Sequence, residues 1–202
     1  MVFLAVVLAY LLGSIPTSVW IGQAFYGIDV REYGSGNAGA TNTFRVLGKK
    51  AGIPVFLFDV LKAWFSVYLA TLFDMPESME FKIILGLMAL LGHIFPIYVG
   101  FRGGKGIACL LGILLAVHWS AALSAFALFI IMFLITHYVS LSSMLAAVAF
   151  PCILHFVFNV EQTLLMFGGA IAVLVLVTHR QNIQRLIKKE EGKIYIVKKK
   201  QS

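Results

Sequence analysis

An all-α integral membrane protein with seven transmembrane helices, its N-terminus outside and its C-terminus cytoplasmic, is the fold class that three observations predict. The chain has 202 residues, of which 60% are hydrophobic and only 12% charged. Its mean hydropathy of +0.93 lies well above that of water-soluble domains. Long uncharged runs alternate with short polar breaks, and the basic residues collect in alternate breaks. A hydrocarbon core about 30 Å thick takes roughly 20 helical residues to cross, and runs of this kind supply them.

The first expected span, residues 2 to 24, carries no charge and contains Gly13 and Pro16. Lacking a basic leading region, it reads as an uncleaved span rather than a signal peptide. The second, 52 to 73, holds Asp59 and Lys62 three residues apart, well inside the apolar run. Either charge alone would cost about 2.5–3.5 kcal/mol at a helix centre, so the two are expected to face the bundle, as a structural pair or as part of the site. The third span, 81 to 98, ends near Pro96. The fourth, 106 to 118, is short; His118 and Trp119 are read as an interfacial turn that separates it from the fifth, 120 to 136. The sixth covers 141 to 158 and the seventh 162 to 178, followed by a basic cytoplasmic tail over 179 to 202. One polytopic domain accounts for the chain. Cys109 and Cys152 lie in apolar runs and are expected to be small buried side chains.

Charge sets the orientation, because Lys and Arg in short loops accumulate on the cytoplasmic side. With seven spans the inside segments hold Arg31, Arg45, Lys49 and Lys50, then Arg102 and Lys105, then the tail bases from Arg180 to Lys200. Asp74, Glu77, Glu80 and Glu161 fall outside, with Lys82 the one base near them. A single helix over 106 to 136 would give six spans and move the tail bases outside, which disfavours it.

This topology brings three polar segments to one face, with short interfacial helices among them. The first, GSGNAGATNTFR over 34 to 45, has Gly34, Gly36 and Gly39 in a G-x-G-x-x-G spacing, with Asp59 20 residues beyond the last glycine. A dinucleotide site needs a preceding strand and a βαβ unit, and spans this apolar provide neither. An anion remains the natural ligand. Small residues expose backbone amides, Ser35, Asn37 and Thr41 add donors, Thr41 or Asn42 could cap a short helix ending at Gly48, and Arg45 offers a phosphate fork.

The second segment, GHIFPIYVGFRGGKG over 92 to 106, does not complete a Walker A string. Gly103, Gly104 and Gly106 permit close backbone approach around Arg102 and Lys105, as a phosphate would require. His93, a turn before Pro96, is equally readable as a core or a site histidine. In the third, THRQNIQRLIKK over 178 to 189, His179 and Asn182 share a helix face. Arg180, Arg185, Lys188 and Lys189 alternate with Ile183, Leu186 and Ile187, the pattern of a basic helix on anionic lipid. His179 has the chemistry for proton transfer near neutral pH. His118, His137 and His155 read as isolated interior or interfacial residues. No His is followed by Asp at the fifth position, as a His-x4-Asp acyltransferase pair needs, and no cluster has metal-ligand spacing.

GSGNAGATN after the first span, FDVLK at 58 to 62, GHIFPIYVGFRGGKG and HRQNIQRL at 179 to 186 together resemble the acyl-phosphate-dependent glycerol-3-phosphate acyltransferases, the PlsY family of bacterial phospholipid synthesis. The resemblance covers essentially the whole chain. It implies transfer of a fatty acyl group from acyl phosphate to the 1-hydroxyl of sn-glycerol 3-phosphate in the bacterial inner membrane, giving lysophosphatidate and phosphate, with the active site facing the cytoplasm. Carried over, the functional positions are Ser35 and Arg45, the glycine loop with Lys105, and His179 and Asn182. His179, Ser35 and Lys105 are then the expected catalytic residues. Arg45, Asn182, Gly36, Asn37, Gly39, Thr41, Asn42, Arg102, Gly103, Gly104 and Gly106 would bind phosphate or glycerol.

Acyl phosphate is a mixed anhydride with a good leaving group, so no covalent nucleophile is required. The demands are two phosphate sites, charge stabilisation at the carbonyl oxygen and alignment of the hydroxyl. The base is His179 or a substrate phosphate oxygen. No cofactor, metal or nucleic acid is expected. Membrane lipids are expected partners, as is the enzyme that makes acyl phosphate. The competing reading is a membrane transporter of a small phosphorylated anion, for which Asp59 and Lys62 are the supporting features; one-sided motifs and the lack of an internal repeat speak against it.

Overall fold

A computed structural model describes residues 1–74 and 78–195. Among these residues every regular element is helical. Glu77, expected outside, and Lys198 to Lys200 of the tail lie beyond the described residues. The chain divides into two compact units, Met1–Ala122 and Leu123–Ser202.

In the first unit, α1 (Val2–Gly13) and α2 (Thr17–Tyr26) replace the expected straight first span with a pair bent by 42°. Pro16 explains the bend, because it lacks an N–H and cannot continue the ladder. The Ser14 amide closes α1 on the Tyr10 carbonyl, and Val19 starts α2 by donating to the Pro16 carbonyl. Helix α1 is buried through Ala5, Ala9 and Gly13, small residues one turn apart. Such a stripe lets apolar helices approach closely where lipid gives no hydrophobic drive to associate. A methyl group at Gly92 of α5 (Met79–Ile94) would overlap the Tyr10 carbonyl of α1. Leu69 and Ala70 of α4 (Lys49–Leu72) and Leu85 of α5 complete this core. Ser78 caps α5 by accepting from the Phe81 amide at 3.2 Å, which starts the helix before the expected residue 81.

Helix α6 (Ile107–Thr136) is interrupted at His118, whose backbone leaves helical geometry at φ −155°, ψ 81°. The side chain stabilises the break: Ala121 donates its amide to His118 Nδ1 at 3.3 Å, in the manner of an N-cap. The break falls at the residue where the sequence predicts a turn.

In the second unit, α7 (Val139–Phe156) packs on α8 (Gln162–Thr178) through Phe150, Leu154, Leu164 and Phe167. Helix α9 (Arg180–Ile187) follows α8 after a bend of 59° at His179, so the start of the expected tail is helical. Cys109 is buried as expected, but Cys152 is exposed on α7.

Among the described residues four helices are long and apolar enough to cross a membrane, or up to six spans if each bent pair counts as one, against the seven expected. Leu61, Phe65, Ile131, Leu134 and Val173 point outward. Apolar residues so exposed match a lipid surround rather than water.

Candidate active site

The 34–42 loop is built around Asn42. This residue does not cap α3 (Ala40–Leu47) as expected, and neither does Thr41; the N-cap is Gly39. Asn42 is buried, donating from Nδ2 to the Val30 carbonyl at 2.7 Å and the Tyr33 carbonyl at 3.1 Å. Its Oδ1 accepts the Ser35 amide at 2.8 Å. A short amide side chain that both donates and accepts suits a loop whose own backbone cannot pair. Gly36 takes a left-handed conformation at φ 73° and donates its amide to Tyr33. Asn37 reaches back to the Ser35 carbonyl at 3.2 Å and hydroxyl at 3.3 Å. The amides of Ser35, Gly36 and Ala38 are therefore spent within the protein. Helical geometry leaves the amides of the first turn of α3 without an internal acceptor. Thr41 is exposed on that turn, and Arg45 is exposed one turn further on.

The second loop lies against the first. A 3-10 turn at Ile97–Val99 follows Pro96, and Gly100 and Phe101 both take positive φ, reversing the chain. The strip then runs back along the end of α5: Gly103 donates to the Ile94 carbonyl at 3.1 Å and Gly104 to the His93 carbonyl at 3.2 Å. A methyl group at Gly104 would strike the His93 imidazole, so close approach to α5 explains that glycine. The Gly103 carbonyl accepts the Ala38 amide at 3.4 Å, joining the two loops. Arg102 is exposed and Lys105 half-buried. Gly106, at φ 84°, opens α6.

A second link joins the loops, through Arg31, expected only as an inside charge, and Asp29, which was not expected from sequence. Asp29 caps the 3-10 turn Val30–Glu32 by accepting the Arg31 amide at 2.9 Å. Arg31 then forks onto the same carboxylate, Nε to Oδ1 at 3.0 Å and Nη2 to Oδ2 at 2.6 Å. From Nη1 it donates to the Val99 carbonyl at 2.8 Å and the Arg102 carbonyl at 3.4 Å. The guanidinium holds the Asp29 carboxyl below its ordinary value, although burial pulls the other way, and Asp29 raises Arg31 in turn. The Asp-x-Arg spacing ahead of a glycine loop was the available signal.

Beneath the loops lies the Asp59–Lys62 pair. Lys62 Nζ is 2.7 Å from Asp59 Oδ1, with both side chains 2% exposed. Lys62 also donates to the Ile15 carbonyl at 2.7 Å, which the Pro16 break turns away from the helix ladder. Thr17 donates its hydroxyl to Asp59 at 3.2 Å, and His93 Nδ1 lies 3.7 Å from the same oxygen. The adjoining cavity measures about 10 Å³ and touches Ser14, Ile15 and Gly103. That is room for about one water molecule, not for a phosphorylated anion. The pair therefore staples the α1–α2 break, and the feature that favoured a transporter has a structural account.

The second unit holds His179 and Asn182, both buried. His179 Nδ1 lies 2.8 Å from the Val175 carbonyl. A carbonyl can only accept, so Nδ1 carries a hydrogen, and whenever the ring is neutral its lone pair is on Nε2. Asn182 donates to Glu191 Oε1 at 2.7 Å, as does the Ser140 hydroxyl at 2.7 Å, and Arg185 Nε donates to Oε2 at 3.1 Å. Ser140 and Glu191 were not expected from sequence.

Fold and loops define a class: a helical membrane protein in which two glycine-rich, basic loops dock on one another beside an apolar core. Comparison with known proteins narrows it. A family model described as glycerol-3-phosphate acyltransferase matches residues 3–189. A glycerol-3-phosphate acyltransferase of Fusobacterium nucleatum is 44% identical over 191 residues, covering 95% of this chain and 97% of the relative. One from Chlorobaculum parvum is 39% identical over 223 residues, covering 95% and 96%. The crystal structure of PlsY (YgiH), an integral membrane glycerol 3-phosphate acyltransferase, in its glycerol 3-phosphate form, superposes with a TM-score of 0.87 at 39% identity, covering 96% of each chain. Its lysophosphatidic acid form gives 0.84 at 38% identity, covering 96% of this chain and 95% of that one. The chain belongs to the glycerol-3-phosphate acyltransferase family of integral membrane enzymes.

Proposed function

We propose that the protein transfers a fatty acyl group from acyl phosphate to the 1-hydroxyl of sn-glycerol 3-phosphate at the cytoplasmic face of the bacterial inner membrane. The hydroxyl oxygen attacks the acyl carbon, the carbon–oxygen bond to phosphate breaks, and the products are lysophosphatidate and inorganic phosphate. The observation that carries this reading is the docking of the 34–42 loop on the 99–106 strip, through Ala38 and Gly103 and through Arg31. The helix-terminal amides and the cations Arg45, Arg102 and Lys105 carried by these two loops are suited to phosphate groups. The relatives share this family along nearly their whole length.

Ser35, Asn37, Gly39 and Thr41 with the α3 amides take one substrate phosphate, and Lys105, carried by the Gly103, Gly104 and Gly106 strip whose first two amides are bonded to α5, takes the other. Gly36 and Asn42 shape the first cradle. Lys105 and Ser35 offset charge on the carbonyl oxygen as the tetrahedral transition state forms. Asn182 orients substrate. His179 Nε2 is the base, with a substrate phosphate oxygen as its rival. Seven spans with an outside N-terminus are the matching topology: the break at His118 supports a turn there, and the basic loops then fall inside. An amphiphilic activated donor favours handover by direct contact with the enzyme that makes it.

The test incubates the purified protein in lipid with glycerol 3-phosphate and either acyl phosphate or acyl thioesters. Lysophosphatidate from acyl phosphate alone is expected; product only from thioesters would overturn the donor. Near-normal turnover by His179→Gln would transfer the role of base to substrate phosphate.

A further inference from the structure

We infer that Asp29 and Arg31 are positioning residues for acyl transfer, a carboxylate–guanidinium clamp that sets the 99–102 backbone, and with it the Lys105 strip, against the 34–42 loop. The inference rests on the reading that these loops bind the substrate phosphates.

Three observations support it. Arg31 uses both edges of its planar fork, one on Asp29 and the other on the Val99 and Arg102 carbonyls. A fork whose inner edge is fixed has little freedom on its outer edge, so the carbonyls are held at a set distance. The base of the clamp is itself rigid. Val30, between the two charged residues, is fully buried with Val19 and Ala38, and Val99 and Leu47 pack against them. The loop that carries Arg31 and the loop it grips thus share one small apolar core. Finally, the 99–102 turn contains the positive-φ residues Gly100 and Phe101 and is secured by amide bonds back to the Pro96 carbonyl, from Val99 at 3.4 Å and Phe101 at 2.9 Å. The Arg31 bonds tie that turn to the neighbouring loop. From there Gly103 and Gly104 run along α5 to Lys105.

The alternative is that Arg31 contacts a substrate phosphate directly, and the two roles predict opposite effects of removing its partner. Asp29→Asn, Arg31→Lys and Arg31→Ala are compared in lipid by initial rates with each substrate varied in turn. Lysine has one compact ammonium and cannot hold Asp29 while reaching both carbonyls. For a clamp, all three variants raise the KM of a phosphate substrate in parallel, about ten- to hundredfold for loss of charge-assisted bonds. The Asp29→Asn/Arg31→Ala double variant is then no worse than Arg31→Ala. If Asp29→Asn leaves KM unchanged or lowers it while Arg31→Ala raises it, Arg31 contacts substrate and the clamp is overturned.

Hydrogen exchange over residues 96–106 is measured on the same proteins and does not depend on turnover. The clamp predicts faster exchange at 99–102 in Arg31→Ala and Asp29→Asn, with α4 and α5 unchanged. Wild-type exchange there would overturn it, whatever the activity. An enzyme inactive with every donor but showing local loosening would instead refute the proposed function and keep the clamp.

Discussion

Two ion pairs in the first unit use the same design in different surroundings. Asp59–Lys62 lies within α4 with both side chains 2% exposed. Arg31–Asp29 lies in the loop after α2, with side chains 15% and 18% exposed. In each, the cation is held by its carboxylate and turns remaining donors onto carbonyls of a neighbouring segment: Ile15 for Lys62, Val99 and Arg102 for Arg31. In each, those carbonyls sit where Pro16 or the 3-10 turn at Ile97–Val99 has interrupted regular structure. Irregular backbone in a membrane protein must find donors inside the protein, and a paired cation is a strong one. The difference is what happens when a partner is removed. Deep in the bundle, the surviving charge has room beside it for about one water molecule and no more. At the loop it is rehydrated, and only the geometry suffers.

The largest expected effect follows. Lys62→Met leaves the buried Asp59 charge without its cation, and removing one member of a buried pair costs about 3–5 kcal/mol. Thermal unfolding in detergent should show a large fall in midpoint. The Asp59→Leu/Lys62→Met double variant should recover much of it, because no uncompensated charge remains. If the double variant is as unstable as Lys62→Met, the pair's value lies in its carbonyl and hydroxyl bonds rather than in charge balance.

Glu191 in the second unit tests the middle ground. Its side chain is 6% exposed while its partner Arg185 is 32% exposed. Glu191 also accepts from Ser140 and Asn182. Glu191→Gln turns an amide N–H toward donors and should cost roughly 1–3 kcal/mol. Arg185→Ala, which lets water replace an exposed partner, should cost less than about 1 kcal/mol. Equal losses in the two variants would mean that exposure does not rank these pairs.

The all-helical membrane fold was legible because apolar length and glycine clusters are local properties; the span count was not, since the described helices give four spans or up to six. The turn at His118 was legible for the same reason, since His and Trp break an apolar run. What sequence left open is set by tertiary docking. Asn42 fits a cap or a loop core equally well by type, and its buried position depends on Val30 and Tyr33 arriving beside it. Asp59 and Lys62 were visible as a pair, but their acceptor, the Ile15 carbonyl, is backbone and carries no sequence signal. Arg31 was legible only as a charge, because its role depends on carbonyls 68 and 71 residues away. Ser140 and Glu191 lie 51 residues apart, and nothing local to either marks the contact.

The smallest expected effect concerns the loop pair and pH. Asp29 is held below its ordinary 3.8, chiefly by the Arg31 hydrogen bond, with Arg102 adding a weaker attraction; Glu32 faces Arg31 rather than Asp29. A carboxylate whose folded-state value is depressed contributes stability that is fully present above its unfolded value and is lost as pH falls through the folded one. The loss therefore begins near pH 3.8 and continues below it. Other carboxylates titrate in the same range, so the readout is a difference between proteins. Unfolding midpoints of wild type and Asp29→Asn should converge as pH drops from neutrality past that window, the variant starting lower and falling less. If the two midpoints stay equally far apart through that window, the Arg31 bond does not hold the Asp29 charge in the folded protein.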